Sequence, residues 1–328
     1  MTATADIPKV ELHLHLEGAA PPKLIQSLSK QKGVDLSGLF NADGSYKYEG
    51  FLEFLKVYEA ACTVLTGPEE FYQLTKAVLE HSASQGVVYS ETFVSPDFCG
   101  GNDIVAWKEY MAAMQQAATE AEARDGIILR GVLTCIRHEG PETAKLAARC
   151  AQETAGDWLV GFGMGGNEMV HKQADFSYAF EMAREAGLRL TTHAGEWGGP
   201  QEVRDAVFDL GVERIGHGVH AVQDMALVEH LAETGIVLEV CPGSNVVLGV
   251  YDRWQDHPIE RLRAEGVKVT VSTDDPPFFH TTMCREYDML AETFGWDEAR
   301  FAEINRTAIE AAFCDDTTRA RVLKRLET

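Results

Sequence analysis

Positive charge is scarce in this chain: 29 Lys and Arg stand against 51 Asp and Glu, for a formal net charge of −22. Polymeric nucleic acid needs clustered basic side chains to neutralise its phosphates, so it is excluded as a partner. A heavily phosphorylated substrate is disfavoured for the same reason, and the acidity reads first as a solubility device. A disulfide framework is also missing. The seven cysteines are an odd number, and no two are spaced C-x-x-C. That pattern argues against a structural zinc finger and for reduced thiols in a cytoplasmic protein. No run approaches the roughly 18 apolar residues that span a bilayer, so no membrane partner is expected. The opening MTATADIPKVELHLHLEG lacks the basic-then-apolar order of a signal peptide. There is no low-complexity tract and no repeat with a period of about 20–50 residues.

What is present is an ordinary globular composition, 45% hydrophobic and 24% charged over 328 residues, enough to bury a large core. Eight short β-rich runs alternate with helical segments: Val10–Leu16, Val87–Val94, Ile127–Cys135, Trp158–Gly163, Leu188–His193, Arg214–Gly218, Ile236–Cys241 and Val267–Ser272. Helical periodicity fills the intervals, for example Glu69–Ser84, Val105–Arg124, Glu142–Glu153 and Met225–Thr234. Such alternation predicts parallel βαβ units, and eight of them fit a (β/α)8 barrel better than the alternative, a doubly wound open sheet. No linker splits the chain, so residues 1–328 are read as one barrel domain. The first crossover, from Glu17 to about Ser84, is unusually long and is read as a lid at the catalytic face. Further helices are expected after strand eight.

Chemistry-bearing side chains gather where the strands end. Strand one ends His13-Leu14-His15-Leu16-Glu17, strand five His193-Ala194-Gly195-Glu196, strand six Gly216-His217-Gly218, and strand eight Thr273-Asp274-Asp275-Pro276. In a barrel these ends converge on one pocket. His13 and His15 are two apart on a strand and share a face. Two imidazoles inside a barrel have little reason to exist as packing, and a divalent metal explains them. His193 and Asp274 are the candidates to complete an N/O ligand set. Such a site can acidify a bound water toward neutral pH. Glu196, three residues past His193, could move a proton between nucleophile and substrate. His217 could orient or deprotonate the water, and Asp275 could hydrogen-bond substrate or water.

Other signals are discounted. Gly161-Phe162-Gly163-Met164-Gly165-Gly166 fits the letters G-x-G-x-x-G but does not open a helix inside an early βαβ unit, as a dinucleotide fingerprint must. His81, His138, His171, His220, His230, His257 and His280 show no partner pattern and are read as bland.

Lys9–Gly18, His193–Glu196, Arg214–Gly218 and Ser272–Pro276 together, in that order along nearly the whole chain, closely resemble the adenosine/adenine deaminase family of metal-dependent hydrolases. The resemblance implies a (β/α)8 barrel, one zinc ion and no organic cofactor. It implies zinc ligation by His13, His15, His193 and Asp274. Glu196 would protonate N1 of a purine, and His217 would assist the attacking hydroxide. Substrate contacts would fall on His15, on Glu17 at the ribose or its equivalent, on the Gly166 backbone at N3, and on Asp275 at N7. The cytidine-deaminase type of zinc site, with H-x-E and P-C-x-x-C, is absent. Adenosine and 2′-deoxyadenosine are the expected substrates, because Gly165–Glu168 and Phe278–Thr282 resemble the nucleoside branch. Glu17 leans the other way, since the free-base branch usually carries Glu there. Adenine and a 5′-modified adenosine are the alternatives. AMP is disfavoured by the lack of a phosphate-binding Arg/Lys cluster. Two further readings compete: a hydrolase of amide or phosphoester bonds on the same barrel, and a binding protein that has lost its chemistry. No strand run ends in a well-placed Lys to bridge two metals, and the reactive set is complete.

Overall fold

The computed structural model of the chain describes residues 4–327. Eight strands, β1 (Lys9–His15), β2 (Val87–Val94), β3 (Ile128–Ile136), β4 (Leu159–Gly165), β5 (Arg189–Ala194), β6 (Arg214–His217), β7 (Val237–Val240) and β8 (Lys268–Val271), lie side by side in sequence order. Every neighbouring pair is parallel. The sheet closes on itself where the His15 N–H donates to Asp274 O at 3.0 Å and the Asp274 N–H donates to His13 O at 3.1 Å. This is a (β/α)8 barrel, and its closure excludes the open-sheet alternative. The closing rungs also set two strand-one histidines beside the strand-eight aspartate.

The crossover after β1 holds α1 (Pro22–Lys32), α2 (Phe51–Cys62) and α3 (Pro68–Ser84). Then come α4 (Ile104–Asp125), α5 (Pro141–Thr154), α6 (Ser177–Glu185), α7 (Pro200–Asp205) and α8 (Met225–Thr234), one after each of strands two to six. Two short helices, α9 (Pro242–Val247) and α10 (Ile259–Ala264), follow β7, and α11 (Met283–Phe294), α12 (Glu298–Ala311) and α13 (Asp316–Leu326) follow β8. Local chemistry explains the boundaries. In α4 the Asp103 side chain accepts from the Val105 and Ala106 N–H groups, and Gly126 ends the helix in a left-handed conformation; such a cap contributes about 1 kcal/mol. Trp107, Tyr110, Met114, Ala117 and Ala121 recur at three- and four-residue spacing and are buried, the stripe an outer helix turns toward a barrel.

The barrel floor is ionic. Phe313, just beyond α12, lays its ring 3.5 Å from the Arg214 guanidinium. Arg214 lies between two buried carboxylates, 2.7 Å from Glu91 and 2.6 Å from Glu239. All seven cysteines are free. No described helix is long and apolar enough to cross a membrane.

Candidate active site

The strand ends meet as the sequence predicts. His13 Nε2 and His15 Nε2 each lie 3.4 Å from Asp274 Oδ1. His15 Nε2 is 3.1 Å from His193 Nε2. One ligand-capable atom from each of His13, His193, His217 and Asp274 falls within 4.8 Å of the others, and His15, Asp274 and Asp275 form a second, overlapping group. Two non-glycine residues here, His217 (φ 60°) and Asp274 (φ 67°), hold left-handed backbone, a strain usually retained where a side chain must be aimed.

Hydrogen bonds on the outer side of the rings fix what faces inward. His193 Nδ1 donates to Met164 O at 2.8 Å, and His13 Nδ1 donates to Glu239 Oε2 at 3.0 Å. Glu239 is ionised: although burial opposes its charge, Arg214 and His13 hold its carboxyl below the usual range. His193, lowered to about 4 chiefly by burial, therefore turns an Nε2 lone pair into the site. Although burial opposes its charge, His13 is pushed up to about 9 by Asp274 and Glu239, so a cation taking its Nε2 would displace a proton. His13 Nε2 is buried without a hydrogen-bond partner. Ser244 donates to Asp274 Oδ2 at 2.7 Å, which leaves Oδ1 facing the imidazoles. Burial opposes the Asp274 charge, but the surrounding histidines hold its carboxyl well below the ordinary range. Imidazole Nε2 atoms gathered around a buried carboxylate are a donor set that a divalent cation fits.

Glu196 is buried beside this group, its Oε1 3.8 Å from His217 Nδ1. Burial, then the charges of Asp274 and Glu168, push its carboxyl well above the ordinary value. Asp275 is raised in the same way by burial and by Asp274. Gly18 is required opposite Asp275: a Cβ there would sit 1.5 Å from Asp275 Oδ1. Glu17 accepts from the Ser95 N–H at 3.1 Å and from the Tyr58 hydroxyl at 3.5 Å, and burial raises it to about 7. Gly166 has φ 101°, and a Cβ there would meet His138 Nδ1 at 2.7 Å. Helix α2, from the long crossover, walls the same cavity with Phe51, Phe54, Leu55, Tyr58 and Glu59.

Sequence reasoning missed several members. His138, read as bland, lines the cavity, accepts from the Asn167 N–H and meets Glu59 at 3.0 Å. Glu168 receives the N–H groups of Gly195, Glu196, Trp197 and Gly198 and so shapes the loop that carries Glu196. His257, also read as bland, is buried and bonded to Asn245, which contacts both Glu196 and His217. The run Cys241-Pro242-Gly243-Ser244-Asn245 after β7 was the available signal. His81 and His280 line a different cavity behind the strand-eight loop.

A sequence model of the adenosine deaminase family matches residues 8–328. The chain belongs to that family. It is 44% identical over 323 residues to an adenine deaminase of Rhizobium leguminosarum bv. trifolii, covering 98% of this chain and 100% of that one. Among solved structures, an adenine deaminase from Arthrobacter aurescens superposes with a TM-score of 0.89 at 29% identity, covering 98% of each chain. An amidohydrolase from Burkholderia ambifaria, solved with bound zinc, gives a TM-score of 0.88 at 26% identity over 99% of this chain and 90% of that one. Within the family this member is a hydrolytic deaminase. Its convergent histidines and aspartate lie in a barrel of the same shape as that zinc-bound neighbour.

Proposed function

We propose that this deaminase hydrolyses adenine to hypoxanthine and ammonia, with one zinc ion held by His13, His15, His193 and Asp274. The sequence favours adenosine; the relatives named adenine deaminase favour its alternative, the free base. The observation that carries the choice is Glu17. Its buried carboxyl, bonded to Ser95 and Tyr58 and lining the same cavity, would occupy some of the room a ribose needs. The two motifs that pointed to the nucleoside have structural jobs. Phe278 and Phe279 are buried; Phe278 stacks on Tyr46 at 3.9 Å and meets Phe54 at 5.3 Å. Glu168 is spent on the loop after β5.

A divalent cation in the site supplies Lewis acidity, so that water can act as a nucleophile at neutral pH. The protein supplies the rest. Glu196, its carboxyl pushed well above the ordinary range by burial and by the charges of Asp274 and Glu168, gives its proton to N1 as the nucleophile adds at C6, so the ring accepts the electron pair. Glu196, now a carboxylate, can then carry the proton of the newly added C6 hydroxyl to the amino group, which leaves as ammonia, and is reprotonated by the proton that the nucleophilic water gave up. Asp275, raised in the same direction by burial and by Asp274, donates to N7 and orients the ring. The Gly166 backbone lies in the same cavity and addresses N3. Walls of Phe51, Phe54 and Phe93 exclude water from the ring faces.

The test is zinc-loaded protein with adenine, adenosine and 2′-deoxyadenosine side by side, following ammonia release. Turnover of adenine with little turnover of the nucleosides is expected. Preferred turnover of adenosine would overturn the assignment of the free base.

A further inference from the structure

His217 faces the centre of the site, and which of its ring nitrogens carries the proton decides what it can do there. Nε2 without a proton could ligate a metal or take a proton from water; Nε2–H can only donate. Three hydrogen bonds outside the site fix the answer. The Ile259 backbone N–H donates to His257 Nδ1 at 3.2 Å. A backbone N–H can only donate, so that Nδ1 has no proton. Burial lowers His257 to about 3, so the ring is neutral and its one proton is on Nε2. That Nε2–H donates to Asn245 Oδ1 at 3.1 Å. The carboxamide is thereby held with its oxygen toward His257 and its NH2 toward the site. One N–H goes to His217 Nδ1 at 3.2 Å and the other to Glu196 Oε1 at 3.4 Å.

We propose that Asn245 and His257 are positioning residues that lock His217 with Nε2–H facing the site. The consequence separates His217 from the other histidines of the cluster. His13 and His193 spend Nδ1–H outward on Glu239 and Met164, which leaves Nε2 as the ring atom a cation can take. His217 is the reverse: Nδ1 accepts, and Nε2–H points inward, 3.8 Å from Asp274 Oδ2. It therefore holds the oxygen nucleophile as a hydrogen-bond donor and is neither a ligand nor the base that deprotonates water. The second N–H of the same carboxamide donates to Glu196 Oε1, so one amide contacts both groups.

This rests on the reading of the site as a purine deaminase only for the kinetic arm of its test. The first arm needs no substrate. In zinc-loaded protein labelled with 15N-histidine, long-range 1H–15N spectra distinguish the two ring tautomers, with His217 assigned by its loss in His217→Asn. The Nε2–H pattern is expected; an Nδ1–H pattern at His217 overturns the proposal. Asn245→Asp exchanges the donor for an acceptor and should switch His217 to Nδ1–H. An unchanged tautomer in that variant also overturns it. In the kinetic arm, His257→Leu removes the donor to Asn245 while His257→Gln keeps an N–H at that position. The Leu variant should lose roughly 10–100-fold in kcat, the usual cost of removing an outer-shell orienting partner. KM and zinc content should stay unchanged, and the Gln variant should recover most of the loss. A folded Leu variant with wild-type kcat overturns the proposal. If that variant does not fold, the spectrum of the unmodified protein decides. The kinetic arm uses whichever purine the enzyme turns over, so a wrong substrate assignment and a wrong tautomer give different results.

Discussion

Single residues in this site are governed by burial more than by their type. Glu196 and Asp274 are both buried carboxyls close to the same histidines, yet one is pushed well above the ordinary carboxyl range and the other is held well below it. Asp274 is surrounded by imidazoles, whereas Glu196 faces the charges of Asp274 and Glu168. Environments that push two acids apart in this way assign an acid and an anion to separate tasks. Glu196→Gln keeps the shape and the contact with Asn245 but has no proton to give. Its kcat should fall by roughly 10²–10⁴-fold, the usual share of general acid–base catalysis, with zinc content and substrate binding retained. Near-normal turnover would remove Glu196 from the proton-transfer role. Gly18→Ala tests the opposite wall. Its new methyl collides with Asp275 and with the Tyr58 ring, 2.8 Å away, so Asp275 must turn from its place. Adenine turnover should drop while zinc content stays at wild-type level in elemental analysis.

At the scale of elements, the strands were readable because each is a short β-rich run, and the structure places all eight within two residues of the sequence reading at either end. The converging histidines were readable because polar residues at barrel strand ends have no packing explanation. What the sequence hid is the second rank. Asn245 and His257 lie on the segment between β7 and β8, which holds two six-residue helices too short to show periodicity. Glu91, Arg214 and Glu239 hid for another reason. A charged residue inside a strand looks solvent-facing until the partners from β2, β6 and β7 are placed together on the barrel floor. The aromatic cluster under α2 was not legible, because Phe278 follows the strand-eight motif and reads only as part of a run resembling the nucleoside branch. Its ring instead stacks on Tyr46 and packs against α2. Phe278→Ala should therefore destabilise the protein by about 3–5 kcal/mol, the cost of emptying a buried aromatic site, read as a lower denaturation midpoint. It should raise KM for adenine by loosening α2 and leave the preference between adenine and adenosine unchanged. A switch toward the nucleoside would return Phe278 to substrate selection.

The whole molecule ties its C-terminal helices to the site through one buried acid. Glu286, in the first turn of α11, accepts from the Gly243 N–H at 3.0 Å and from the Thr281 hydroxyl. Gly243 opens α9, the helix that carries Ser244 and Asn245 into the site. Burial raises the Glu286 carboxyl to about 8, against an ordinary value of 4.5 in the unfolded chain. The folded state thus binds this proton more tightly than the unfolded state does. By linkage, the stabilisation is complete below about 4.5 and is lost as pH rises through about 8. Glu286→Gln keeps an acceptor for Gly243 and an N–H for Thr281 but cannot ionise. The variant should melt close to wild type at pH 5 and above wild type at pH 9. The general repulsion of a chain with net charge −22 grows with pH in both proteins, so the difference between the two melting curves isolates this carboxyl. A difference that is constant from pH 5 to pH 9 would mean that Glu286 does not titrate in the folded protein. Adenine turnover followed over the same range adds the link to function. Ionised Glu286 still accepts from Gly243 and Thr281, so α9 stays held and the kcat profiles of wild type and the Gln variant should run parallel while their melting curves diverge; a kcat that falls only in wild type would mean that ionised Glu286 releases α9.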